Sequence, residues 1–229
     1  MAQPRLSFAS LVRRWGLGMA LVTWRYLWST LPLHRTQSWD STPRRPPPVP
    51  PGVSTEGIQD WSSGSGPGVH RLFRARIRGA RTDAATLIES MSREFERLLP
   101  REVVRVHQDD PGGVTARAGD DLVVDMPGPW NGPVRVLVYE PTRLRLATLL
   151  GHLEAGQIEF RASDGDDLVF EIEAWARAAD WKVHAMYTWL RLAKEIQLNM
   201  WVRVCQAAAR EAGGRLVDGV EIRTTLTGT

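Results

Sequence analysis

The sequence predicts an α+β fold in which a curved antiparallel β-sheet wraps around a long C-terminal helix, with a further helix added at the N-terminus. Three observations carry this prediction. The pattern from Val183 to Gly213 is helical and unbroken, the segments before it alternate like short strands, and the basic apolar stretch at the N-terminus is set apart by residues rich in Pro, Gly and Ser.

The C-terminal pattern has recognisable ends. Asp180 stands ahead of it as an N-cap, no proline interrupts it, and Gly213 and Gly214 supply the left-handed conformations that terminate helices. Winding at roughly 100° per residue puts Met186, Leu190, Ala193, Met200, Trp201, Val204 and Ala208 on one face, opposite Thr188, Arg191, Glu195, Asn199 and Gln206. Gln197 falls within the apolar face. It either bonds a neighbouring strand or a buried water, as buried amides do, or it points into a pocket and orients a ligand.

Taken in order, the chain divides into an N-terminal basic amphipathic helix (1–35), a linker (36–68) and a folded domain (69–229). From Ser7 to Leu33 the residues are apolar and aromatic and the charges are all arginine, which fits a helix lying on an anionic bilayer or packing on the protein itself. Arg25 interrupts the only run long enough to span a membrane. Peripheral membrane contact through 7–33 is therefore an expectation, and export or spanning is not. Between Thr36 and Gly68 the periodicity vanishes into prolines followed by Ser62, Ser63, Gly64, Ser65 and Gly66, so the segment reads as a tether.

The body starts with Phe73, Ala75 and Ile77 alternating with Arg74, Arg76 and Arg78, a strand with arginines toward solvent. Thr82 caps a helix carrying Ala84, Leu87, Ile88, Met91, Phe95 and Leu98 inward, closed by Pro100. Strands are expected at 103–107, 114–118, 122–126, 134–139, 144–149, 157–162 and 168–176. A final one carries Val220, Ile222, Thr224 and Leu226. Arg143, Arg145, Glu159, Arg161, Glu171 and Glu173 fall on the face away from the core and are expected to form cross-strand pairs in solvent.

Composition bounds the function. The 229 residues with 43% hydrophobic content can bury a core. A net charge of +3, with no exposed aromatics interleaved among the arginines, falls short of a dedicated nucleic-acid surface, so no nucleic-acid partner is expected. Cys205 is the sole cysteine, which excludes an internal disulfide and fits a cytoplasmic protein. His34, His70, His107, His152 and His184 show no ligand spacing, so no metal is expected; nor is a cofactor, since no phosphate-cradling glycine loop is present.

Two places carry candidate chemistry. The turn from Met126 to Pro133 holds Trp130 and Asn131 between two strands, where Trp130 is either a lid over a cavity mouth or a side chain tucked onto the sheet. His152 and Glu154 stand two residues apart at a strand-to-strand connection. A carboxylate beside an imidazole serves acid–base catalysis, and the same pair can equally shape the turn.

The run from Thr148 to Phe160, Thr-Leu-Leu-Gly-His-Leu-Glu-Ala-Gly-Gln-Ile-Glu-Phe, resembles the signature block of the bacterial and plant family called domain of unknown function nineteen-ninety. Pro133-Val134-Arg135-Val136 resembles its upstream strand, Phe170 to Arg177 its downstream strand, and Gln197 a glutamine of its last helix. Leu153 stands where the family has proline and Gln157 where it has glutamate. The family is similar in outline to helix-grip proteins, the type of the Bet v 1 plant allergens and START lipid-transfer domains. That resemblance implies a cavity between sheet and C-terminal helix and no agreed activity.

The expected function is thus binding of a hydrophobic or amphipathic small molecule in that cavity, with Gln197, Trp130, Asn131 and Trp201 as ligand-binding candidates. The alternatives are a cyclase- or hydrolase-like enzyme using His152 and Glu154 as an acid–base pair, and a scaffold recruited through its N-terminal helix.

Overall fold

A computed structural model of the chain describes residues 33–42, 44–93, 105–107, 117–125, 131–179 and 191–227. The expected N-terminal helix, Trp130, and the first part of the C-terminal helical pattern, with its Asp180 cap, lie outside the described residues.

The described strands are β1 (Leu33–Asp40), β2 (Ser65–Arg78), β3 (Arg105–His107), β4 (Asp121–Asp125), β5 (Asn131–Glu140), β6 (Arg143–Thr148), β7 (Glu154–Ser163), β8 (Leu168–Ala178) and β9 (Arg215–Thr227). They form one sheet in the order β1-β9-β2-β8-β7-β6-β5-β4-β3. Every pairing is antiparallel except β1 with β9, which is parallel. Among the described residues the helices are α1 (Ala84–Arg93) and α2 (Arg191–Glu211), with a 3-10 turn at Trp61–Ser63. This is the helix-grip arrangement, extended at one edge by β9 and β1.

Alternation along the strands decides which face the helices cover. Phe73, Ala75 and Ile77 of β2 pair in register with Ile172, Phe170 and Leu168 of β8, and Phe73 and Ala75 also with Ile222 and Val220 of β9. Phe160 stands opposite Ile172 and Leu144. All of these are buried in one cluster with Leu87, Ile88 and Met91 of α1. Each fully buried side chain of this size contributes about 1.5–3 kcal/mol. From α2 the cluster takes Leu198, Val202, Cys205 and Ala209, spaced by four, three and four as one helical stripe requires, and Ala212 just past its end continues the stripe. Val204 and Ala208 are buried as expected, but Met200 and Trp201 are only partly so, which turns the buried stripe away from the expected centre.

The helix ends follow the rules of capping with one change. Gly213 sits at φ 68°, the left-handed conformation that stops α2. At α1 the cap is Asp83 rather than Thr82: Asp83 Oδ1 accepts the Thr86 N–H at 2.8 Å, and Asp164 Oδ1 takes the Ala84 N–H at 2.9 Å. The hydrogen bonds to Thr86 hold the Asp83 carboxyl below its usual range.

The expected tether at 36–68 is instead built into the fold. Its start belongs to β1, and the proline run crosses the outer face of the sheet, where Val49, Val53 and Ile58 pack on Leu137, Val138 and Ala147. Ile58 forms a bridge with Leu149, and Trp61 is buried. Proline-rich chain has no periodicity to betray such packing, because it docks through occasional side chains and its own carbonyls. A second correction follows from this cover. Arg145 and Glu159, expected in solvent, are 5% and 3% exposed. Glu159 lies 3.1 Å from Arg161 and 3.9 Å from Arg145, and Arg161 continues to Glu173 at 2.8 Å, which also accepts from the buried His70 at 2.8 Å.

Candidate functional site

The inner face of the sheet changes character along its length. Where α1 and the C-terminal half of α2 cover it, most of the side chains are buried. Near the middle of α2, Ile158 of β7 and Ala174 of β8, paired in register on that face, are only half-buried, and so are Met200 and Trp201 of α2. The Trp201 ring leans on Phe160 with centroids 5.8 Å apart and planes at 59°. Trp201 therefore lies between helix and sheet, where it was expected, and Gln197 lies on α2 one turn before it. Asn131 opens β5 opposite Asp125. Trp130 lies outside the described residues.

Two polar groups, one of them not singled out from the sequence, line the same layer. Arg71 shares its register position with Ala174 on one side and Thr224 on the other, and both Arg71 and Thr224 are buried. Arg71 stands just ahead of the alternation read from Phe73 to Arg78, and its phase is that of Phe73 rather than that of Arg74. Its odd number was the available signal.

His152 and Glu154 are brought together, in a hydrogen-bonded knot at the turn between β6 and β7. The Glu154 N–H donates to His152 Nδ1 at 2.9 Å, which places the proton of the neutral ring on Nε2. Protonating Nδ1 would exchange that contact for one to the Glu154 carbonyl, 3.1 Å away. Burial lowers the His152 pKa, against a smaller opposing pull from the Glu154 carboxylate. Gln59 Nε2 donates to the His152 and Glu154 carbonyls at 2.9 and 2.8 Å. Thr148 Oγ1 accepts the Gly156 N–H at 2.9 Å, and Gly156 approaches Trp175 so closely that a Cβ there would stand 1.9 Å from its carbonyl oxygen. Gln59, the centre of the knot, falls in the stretch read as linker.

Other chemistry finds little support in the arrangement. Burial pushes the Cys205 thiol up, which keeps it protonated and unreactive. Among the described residues no group of three or more His, Cys, Asp or Glu could hold a metal, and no helix is long and apolar enough to cross a membrane.

Similar solved structures include the di-domain aromatase/cyclase StfQ of the steffimycin biosynthetic pathway, with 14% identity, a TM-score of 0.45, and 67% of this chain and 54% of that one covered. This chain thus spans about half the length of StfQ. A START superfamily protein from Mycobacterium smegmatis is 12% identical, with a TM-score of 0.44 over 62% of this chain and 99% of that one. Norcoclaurine synthase from Thalictrum flavum is also 12% identical, with a TM-score of 0.42 over 69% and 93%. No curated protein sequence matches the chain. The profile of the "Domain of unknown function (DUF1990)" matches residues 93–212, just over half of the sequence and including the β6–β7 knot, and the chain belongs to that family.

Proposed function

We propose that the chain binds a hydrophobic or amphipathic small molecule between the inner face of the sheet and the N-terminal half of α2. The observation that supports this reading is the half-burial of Ile158 and Ala174 on the sheet and of Met200 and Trp201 on α2, with Ile158, Met200 and Trp201 packed against the one core cluster. Apolar walls with few polar groups are the ordinary make-up of a small-molecule site. Arg71 and Thr224, buried in the same layer, offer a polar end for an amphipathic ligand. Gln197 and Asn131 remain candidates for orienting it, and Trp130 for closing it.

Binding is favoured over acid–base catalysis because Nδ1 of His152 is committed to the turn's own backbone. Titrating 1-anilinonaphthalene-8-sulfonate into the full chain and into Ala174→Trp tests the proposal. The wild type should bind one probe with enhanced fluorescence, and the variant should lose that binding while melting within a few degrees of the wild type. A wild type that leaves the probe dark, with a variant destabilised by about 1–3 kcal/mol as overpacking demands, would mean that the layer is solid.

A further inference from the structure

The outer face holds a second arrangement, independent of the inner layer. Pro46, Pro47 and Pro48 have no N–H to donate, so their carbonyls are the only backbone handles on this run. Two are taken by side chains of the sheet: Gln157 Nε2 donates to the Pro47 carbonyl at 3.1 Å and Arg145 Nη2 to the Pro48 carbonyl at 3.3 Å. Val49 and Val53 then rest on Leu137, Val138 and Ala147. Just upstream, the Arg45 guanidinium lies 5.9 Å from the centroid of Trp61. Both donors are held in place by neighbours: Arg145 lies beside Glu159 under the strap, and Gln157 stands in register with Ala147 and Trp175.

We infer that this outer face is a groove for proline-rich peptides, occupied in cis by residues 44–53 and open to a proline-rich segment of another protein when that strap lifts. Side-chain donors to successive proline carbonyls, beside an apolar shelf and an aromatic ring, are the means by which extended proline helices are recognised. The strap is shallow. Arg44, Arg45, Pro48 and Pro51 are exposed, and Pro46, Pro47, Val49, Pro50 and Val53 are only half-buried. Segments with few buried contacts open locally at a small fraction of the global stability. The tether keeps the strap at an effective concentration on the order of millimolar, so a competing peptide binds weakly until the strap is disabled.

The test uses a fluorescein-labelled peptide of residues 44–53, read by fluorescence polarisation against three full-length proteins. These are the wild type, the strap variant Pro47→Gly/Pro48→Gly, and that variant with Gln157→Leu added. The strap variant should bind the peptide at least about tenfold more tightly than the wild type, and Gln157→Leu should weaken that binding several-fold. A peptide of the same length in Gly and Ser should not bind. With unmodified protein, excess peptide should speed hydrogen exchange at the Val53 amide, which bonds the Pro50 carbonyl within the strap. Equal affinity with and without Gln157, or no binding by the strap variant together with unchanged exchange at Val53 in the wild type, would overturn the inference.

Discussion

Replacing Gln59 by alanine isolates the knot that holds the family's signature block. The variant loses two hydrogen bonds, to the His152 and Glu154 carbonyls at 2.9 and 2.8 Å, from a side chain that is itself buried. An acceptor left without its partner in a dry site costs about 1–3 kcal/mol. Both contacts are part-buried, so water recovers some of this, and the lower end for each gives a total of about 2 kcal/mol. In a chain of this size that corresponds to a fall in Tm of about 4–8 °C. Urea denaturation followed by circular dichroism measures the stability, and a thermal scan measures the Tm. Gln59→Glu is the control of shape. It keeps the length of the side chain but presents oxygens to both carbonyls, and should be at least as unstable as the alanine variant. A Gln59→Ala protein within about 0.5 kcal/mol of wild type would refute the claim that this residue fastens the turn.

Other outcomes follow from neighbouring contacts. Gly156→Ala must displace the Trp175 backbone to make room for a methyl 1.9 Å from its carbonyl oxygen, and should cost at least about 3 kcal/mol or yield no folded protein; a milder loss in urea would show that the two strands can separate there. Glu159→Leu alone leaves Arg145 buried without its carboxylate and should cost about 3–5 kcal/mol, whereas Arg145→Leu/Glu159→Leu should cost less than the sum of the single changes. Additive values in that double-mutant cycle would deny the coupling. Because burial depresses the His152 pKa, the unfolded chain takes up that proton first. The stability linked to His152 is therefore complete above the unfolded value of about 6.5 and is lost as pH falls from there toward the folded pKa. His152→Asn should flatten this part of the stability–pH curve between pH 7 and 5, and an unchanged slope would assign the proton uptake elsewhere.

Much of the fold was legible because its elements obey simple periods. Phe73, Ala75 and Ile77 alternate into the core as read, Val220 and Ile222 mark the last strand, and Gly213 stops α2. What escaped reading depends on contacts between distant parts of the chain. Proline-rich sequence carries neither the period of a helix nor that of a strand, so 44–58 gave no sign that it lies on the sheet. Once it does, Arg145 and Glu159 pass from solvent to interior with no change in their own sequence surroundings. The placement of the candidate residues was legible only in part. Helical phase put Trp201 on the apolar face of α2, where it meets Phe160, whereas the inward register of Arg71 lies outside the alternation read from Phe73 to Arg78. The spacing of His152 and Glu154 suggested an imidazole beside a carboxylate, whereas Nδ1 meets the Glu154 backbone; spacing alone cannot tell whether an imidazole nitrogen faces a substrate or the backbone of its own turn.

The most direct test of the binding account is a methyl-detected NMR titration of the full chain with 1-anilinonaphthalene-8-sulfonate. The account predicts that the methyls of Ile158, Ala174 and Met200 shift together and saturate at one probe per chain, while those of Ala75 and Ile77 stay in place. Shifts confined to Leu137 and Val138 on the outer face, with Ile158 and Ala174 unmoved, would contradict it.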